Sequence, residues 1–354
     1  MKKILITGGA GFVGSSLAIR LKEKYPQYTI CCLDNLKRRG SELNLLRLAA
    51  HGIQFVHGDV RNREDLYALS GITTIIEASA EPSVLAGLDN APDYLINTNL
   101  MGAINCLYLA AREKADFIFI STSRVYPIEL VNNVFFIEKD TRFALADRQE
   151  IRGVTKAGIA EDFPTEGYRS LYGATKLASE MLIGEFNKFC QVRTVINRCG
   201  VLTGPWQMGK VDQGVVVLWA ARHFWKKDLG YFGYGGQGKQ VRDILHIDDY
   251  FKLIDYQIHH MDKLNGRLFN VGGGEDVSVS LRELTALCET ISGNSINIAA
   301  IKEDRQADIR IYLTDNALVT ALTGWRPTIP ATQIVADIHS WLRENEQMLK
   351  PILS

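Results

Sequence analysis

Short apolar runs recur through the first half of the chain, at Ile4–Thr7, Thr29–Leu33, Gln54–His57, Thr74–Ala78, Phe117–Ser121 and Arg193–Asn197. Longer segments with helical spacing of apolar residues separate them, among them Gly14–Lys24, Gly102–Glu113 and Tyr172–Phe189. Runs too short for helices, alternating with helical segments, predict an α/β fold: a doubly wound parallel (Rossmann) sheet with helices on both faces. Ligands of such sheets sit beyond the carboxyl ends of the strands, so residues just past each strand are the first functional candidates. After about Gly200 the rhythm gives way to Gly-, Pro- and Trp-containing connections. A smaller, discontinuous C-terminal lobe that binds substrate is expected there. The expected division gives 1–198 plus about 245–270 to the sheet domain, and about 199–244 plus 271–354 to the lobe. No repeat or low-complexity tract interrupts either part.

The first strand runs into Thr7-Gly8-Gly9-Ala10-Gly11-Phe12-Val13-Gly14, and Asp34 lies twenty residues beyond Gly14. Gly8 permits a tight turn, Gly11 lets a pyrophosphate approach the backbone, and Gly14 lets the helix pack closely on the strand. Asp34 closes the second strand, where a carboxylate accepts hydrogen bonds from an adenosine ribose. A glycine triplet alone is weak; strand, helix and acid in register point to a dinucleotide. A carboxylate at Asp34 repels a 2′-phosphate and favours NAD over NADP, while Lys37-Arg38-Arg39 is the one run that argues the other way. Asp59, in His57-Gly58-Asp59-Val60 after the third strand, reads either as an acceptor for the adenine amino group or as a turn former.

Composition narrows the class without changing that reading. Lys+Arg and Asp+Glu balance at 40 each, so neither nucleic acid nor an anionic membrane is an expected partner. The six cysteines form no CxxC pair, and Cys31-Cys32 fall inside an expected buried strand, which suits reduced core thiols. The chain enters a strand at once and has no apolar run of membrane-spanning length, so a soluble cytoplasmic protein is expected. His246 and His259-His260 lack partners at ligand spacing, and no metal is expected.

Chemistry enters at the fifth strand, where Ser121-Thr122-Ser123-Arg124-Val125-Tyr126 delivers hydroxyls at a strand end. Further on, Tyr172 and Lys176 stand four apart and share a helix face. An ammonium near a phenol favours the phenolate, which makes Tyr172 a candidate general base, with Lys176 also able to hold a nicotinamide ribose. YxxxK alone is common by chance. Its weight comes from the glycine turn and the hydroxyl-bearing strand end beside it.

Together, Thr7–Gly14, Asp34, Asp59, Thr122 and the Tyr172/Lys176 pair resemble the extended short-chain dehydrogenase/reductase (NAD-dependent epimerase/dehydratase) family, and the resemblance runs through to Gly324-Trp325-Arg326-Pro327. It implies enzymes that modify nucleotide-activated sugars, NAD held throughout turnover, and a homodimer formed through paired helices or a higher homo-oligomer. It places catalysis on Thr122, Tyr172 and Lys176. It places the cofactor against Gly8, Gly11, Phe12, Val13, Gly14, Asp34, Asn35, Asp59, Val60, Ala78, Ala80, Asn99, Tyr172 and Lys176.

Dehydratases of this family carry Asp-Glu directly after the catalytic Thr; here Ser123 and Arg124 stand there, which argues against dehydration. A narrower resemblance, to the CDP-paratose/CDP-tyvelose 2-epimerases, is carried by Asp34–Gly40, Asn44-Leu45, Phe55–Asn62 and Ser121–Tyr126. The long connection Pro127–Arg169, a candidate lid, shares in it, as do Gln207 with Asp212-Gln213-Gly214 and Gly238–Asp243. On that resemblance Ser123, Arg124, Asn197, Gln207, Arg242, Arg305 and Asp308 bind the substrate, the two last-named arginines at its diphosphate. For Asn197 a capping role stands beside that one; Trp206 is a candidate for stacking on a base or sugar, and Trp219, Trp225, Trp325 and Trp341 read as core.

Three departures concern the sugar end. The usual His-Leu-Ala-Gly-Gln type run after the fourth strand is Glu77-Ala78-Ser79-Ala80-Glu81, Tyr-Gly is Tyr126-Pro127, and Cys199–Thr203 replaces a His-, Ser- and Tyr-bearing stretch. The expected activity is epimerisation by transient oxidation, at C2 of a CDP-3,6-dideoxyhexose. A UDP-hexose 4-epimerase, a net reductase or dehydrogenase, and a non-catalytic NAD-binding protein are the alternatives.

Overall fold

The computed structural model describes residues 2–87, 91–209, 213–305 and 307–354. Its main sheet has seven parallel strands: β1 (Lys3–Thr7), β2 (Thr29–Asp34), β3 (Gln54–His57), β4 (Thr74–Glu77), β5 (Asp116–Thr122), β6 (Thr194–Cys199) and β7 (Arg267–Val271). They lie in the order β7-β6-β5-β4-β1-β2-β3. Six of them stand where the apolar runs predicted strands. The seventh was not foreseen as one, because Leu268-Phe269-Asn270-Val271 carries a polar residue inside an already short run. Ile4, Leu5, Ile6, Ile75 and Ile76 are fully buried, as strands covered on both faces must be. Strand order reverses between β1 and β4, so their carboxyl ends open the crevice in which such sheets hold ligands.

The helices that matter for the site are α1 (Phe12–Lys24), α2 (Gly102–Glu113), α3 (Leu171–Phe189) and α4 (Ile247–His259). Ahead of α2 runs a wide π-helical turn, Asn97–Met101. Under the sheet, Leu5, Cys31, Ile75, Cys106, Leu107, Phe117, Phe119 and Ile183 form one buried cluster. All six cysteines are free and only Cys190 is exposed. Among the described residues no helix is long and apolar enough to cross a membrane.

The chain divides into two compact units, Met1–Val125 with Ser170–Arg198 and Phe251–Phe269, and Tyr126–Arg169 with Cys199–Tyr250 and Asn270–Ser354. The sequence reading kept 126–169 in the sheet domain; the structure corrects this. Ile159 N–H donates to Leu313 O at 2.8 Å, Phe143 N–H to Lys239 O at 2.9 Å, and Thr141 Oγ1 to Glu283 at 2.7 Å. These pairings tie the segment to residues far along the chain, which no local pattern reveals.

In the second unit Val201–Thr203 pairs parallel with Val241–His246, which pairs antiparallel with Ser278–Ser280 and parallel with Ile311–Tyr312. The Gly324–Pro327 stretch is held by Asp249: Trp325 Nε1 donates to its carbonyl at 2.8 Å, and Thr328 and Ile329 N–H to its carboxylate at 2.7 and 2.8 Å. Trp219, Trp325 and Trp341 are buried, whereas Trp225, expected in the core, is half-buried because it lies at the end of its helix.

Asp243 is fully buried in this unit and accepts through Oδ2 from Gly274 and Thr314 N–H at 3.1 and 3.2 Å, while its Oδ1 has no hydrogen-bond partner among the described residues. Burial pushes its carboxyl up to about 6, against the opposing pull of those donors. The folded protein therefore keeps a proton that the unfolded chain releases near 4, and this group's contribution to stability falls as pH rises from about 4 to about 6. Asp243→Asn is expected to remove a drop of about 2–3 kcal/mol across that window, read as urea unfolding at pH 4.5 and 7.5.

Candidate active site

At the end of β1 the chain turns through Gly8 at φ +63°, where a Cβ would lie 2.7 Å from Ala78 O. Gly11 N–H donates back to Gly8 O at 3.0 Å, and α1 starts at Phe12 with no side chain capping it. A Cβ on Gly14 would sit 2.2 Å from Gly8 O. The glycines thus leave backbone where side chains would block it, and helix amides face outward, the form of an anion cradle. Asp34, at the end of β2, accepts from Ala10 N–H at 3.0 Å and Leu36 N–H at 2.8 Å. Burial pushes its carboxyl up, opposed by N–H groups of Leu36, Ala10 and Gly11. Asn35 Nδ2 donates to Asp59 at 2.9 Å, and the Arg61 guanidinium grips the same carboxylate at 2.6 Å. Burial alone would raise Asp59; Arg61 and Asn35 outweigh it and hold the group down to about 2. These residues fit the adenosine half of a dinucleotide.

Not every expected cofactor residue presents its side chain there. Val60 is buried, at a point where a Cβ on Gly102 would come within 2.6 Å of it. Asn99, in the π-helical turn, is also buried: its amide accepts from Glu81 N–H at 2.8 Å and donates to Glu81 O at 3.1 Å. Its carbonyl accepts from Ser179 Oγ at 3.2 Å. Asn99 thereby fastens the loop after β4 to α3. Ala78 and Ala80 are part-exposed on that loop, as are Phe12 and Val13 at the start of α1.

Thr122 ends β5, and its Oγ1 accepts from Arg124 N–H at 3.2 Å across the tight turn Ser123–Val125. Helix α3 packs on both β5 and this turn. It begins at Ser170, whose Oγ accepts from Gly173 N–H at 3.3 Å, and so carries half-buried Tyr172 in its first turn. Tyr172, Lys176 and Glu180 follow at intervals of four along one face.

Two buried ion pairs missed from sequence flank that face. Lys176 Nζ lies 3.6 Å from Glu77 Oε2, with both side chains at 2% exposure or less, and 3.8 Å over the Phe119 ring. Its ammonium is thus flanked by a carboxylate and an aromatic face in the interior. Glu180 pairs with Arg198 of β6 at 2.7 Å and accepts from Ser121 Oγ at 2.5 Å. The signals were present: an acid closing a buried strand demands a cation, and Glu180 lies one turn beyond Lys176.

Asn197 is corrected outright. It is fully buried, and its amide and that of Gln257 on α4 hydrogen-bond reciprocally at 2.9 and 2.8 Å, which withdraws it from any substrate. In the second unit Arg242 pairs with Asp308 at 2.9 Å, and Asp308 also accepts from Ile309 N–H at 2.8 Å. The Arg305 guanidinium stacks 3.7 Å from the Phe232 ring centroid. Gln207 donates to Leu202 O and accepts from Thr203 Oγ1, both at 2.9 Å. Trp206 sits at φ +72° with its ring tilted against Trp341 at 5.8 Å. Asp212 lies outside the described residues.

The profile of the NAD dependent epimerase/dehydratase family matches residues 4–272. The chain is similar to the CDP-paratose 2-epimerase of Salmonella typhi, 29% identical over 96% of this chain and 98% of that one. In fold it is similar to the UDP-glucose 4-epimerase of Thermotoga maritima, solved with UDP-glucose (TM-score 0.78, 22% identity, 97% and 99% of the two chains). It is equally similar to the dTDP-glucose 4,6-dehydratase of Bacillus anthracis, solved with NAD (TM-score 0.78, 24% identity, 99% and 100%).

Proposed function

The chain belongs to the NAD dependent epimerase/dehydratase family, and from that premise we propose that it is a nucleotide-sugar epimerase acting at C2 of a CDP-3,6-dideoxyhexose. The observation that carries the finer reading is the near full-length similarity to a CDP-paratose 2-epimerase. Ser123 and Arg124 after Thr122 support epimerisation over dehydration, since elimination of water needs an acid and a base there.

Bound NAD supplies the reversible two-electron chemistry by which one sugar carbon becomes a carbonyl and returns to an alcohol. Gly8, Gly11 and Gly14 would hold its pyrophosphate at the start of α1, Asp34 its adenosine ribose, and Asn35 and Asp59 its adenine. Tyr172 Oη removes the proton of the sugar hydroxyl and later gives it back, while Thr122 Oγ1 holds the same oxygen. The ketosugar is planar at the reacting carbon, so re-reduction on the opposite face inverts it. In the second unit Arg242, oriented by Asp308, and Arg305 bind the diphosphate.

The test is to incubate purified protein, without added NAD, with CDP-tyvelose and with UDP-glucose, and follow each sugar by proton NMR. CDP-paratose appearing in the first supports the proposal; galactose appearing in the second moves it to a 4-epimerase. Gly14→Ala is expected to destabilise the folded protein by about 1–3 kcal/mol, because the added Cβ meets the Gly8 and Gly9 backbone where α1 packs on the turn. Urea unfolding of the two proteins reads that loss. We further infer a homodimer through α2 and α3, where Tyr108 of α2 and Met181 and Phe189 of α3 are 42%, 69% and 80% exposed. Met181→Glu is expected to halve the mass measured by light scattering.

A further inference from the structure

Glu77 has no place in the chemistry above, yet it is buried with its carboxylate against the Lys176 ammonium. It closes β4, where Thr74, Ile75, Ile76 and Glu77 are all buried, and it stands in register with Thr7 of β1 and Phe119 of β5. Its Oε1 accepts from Ser79 Oγ, and its Oε2, with no hydrogen-bond partner among the described residues, faces Lys176 Nζ at 3.6 Å. Lys176 is therefore held between a carboxylate and the face of Phe119. Neither charge would be tolerated alone at that depth.

The other ionisable groups packed around the pair leave its balance intact. On α2, burial and then the neighbouring Glu77 charge push the Cys106 thiol well up, so it stays neutral. On α3, Glu180 is matched by Arg198 of β6. Asp116, at the opposite end of β5, is matched by Arg193. Glu77 is thus the anion that answers Lys176. An ammonium lowers a neighbouring phenol's pKa by favouring the phenolate, and a carboxylate against that ammonium cancels much of the effect.

We propose that Glu77 is a positioning residue for Tyr172: it fixes Lys176 and offsets its charge, so that the phenol keeps its proton to a higher pH than Lys176 alone would set. This rests on the reading of Tyr172 as general base. Burial pushes the Glu77 carboxyl up, against the opposing pull of Lys176.

The test is a tyrosinate absorbance titration of the NAD-loaded protein, with the Tyr172 signal isolated by subtracting Tyr172→Phe. In Glu77→Gln, Tyr172 is expected to titrate on the order of one pH unit lower than in the native protein. An unchanged or higher value overturns the proposal; a purely structural Glu77 would lower stability and leave the titration in place. If Glu77→Gln does not fold, Glu77→Leu combined with Lys176→Met replaces the buried pair by apolar groups. Tyr172 is then expected close to its native value, and a rise of about one pH unit or more overturns the proposal. The titration needs no sugar, so it is read independently of whether the substrate assignment holds.

Discussion

Tyr172→Phe is expected to cut turnover by about 10²–10⁴-fold while NAD stays bound. The substitution keeps the aromatic ring in the first turn of α3 and removes only the oxygen that takes and returns the proton. The cradle at Gly8–Gly14 and Asp34 is remote in sequence and built from other elements, so cofactor retention is expected to match the native protein. Turnover and released NAD are measured on the same preparation. Loss of both would mean that Tyr172 supports the cofactor site, and retention of turnover would remove it from catalysis.

The second large effect concerns stability. Arg198→Met is expected to cost about 3–5 kcal/mol, because it leaves the Glu180 carboxylate buried with its charge unanswered. Both side chains are 7% exposed or less, so solvent does little to screen the loss. Adding Glu180→Leu to Arg198→Met is expected to recover most of it, since an apolar pair of similar volume pays no desolvation. Urea unfolding of the native, single and double variants measures this. A single variant as stable as the native protein would show that the pair is not holding α3 against the sheet.

What could be read in advance follows the range over which each signal acts. The six strands, the glycine turn and the Tyr172/Lys176 spacing are local patterns, visible within a window of a few residues. Glu77–Lys176 joins positions ninety-nine apart in the chain, and Asn197–Gln257 sixty apart. Those partners exist only once the sheet order is known. The same limit misplaced 126–169, whose anchors are Lys239, Glu283 and Leu313. It also made Asn197 and Val60 look available, since each stands near a strand end where ligands usually sit and only packing shows it turned inward. Glu77 was visible as a departure from the family's usual run, but its meaning needed the lysine across the interior.

The most direct test of transient oxidation is to run the epimerisation of CDP-tyvelose in D₂O without added NAD. The expected product is CDP-paratose with protium still on C2, because the hydrogen removed from that carbon returns to it. Deuterium at C2 of the product would contradict the account, since the carbon would then have exchanged its hydrogen with solvent as a proton.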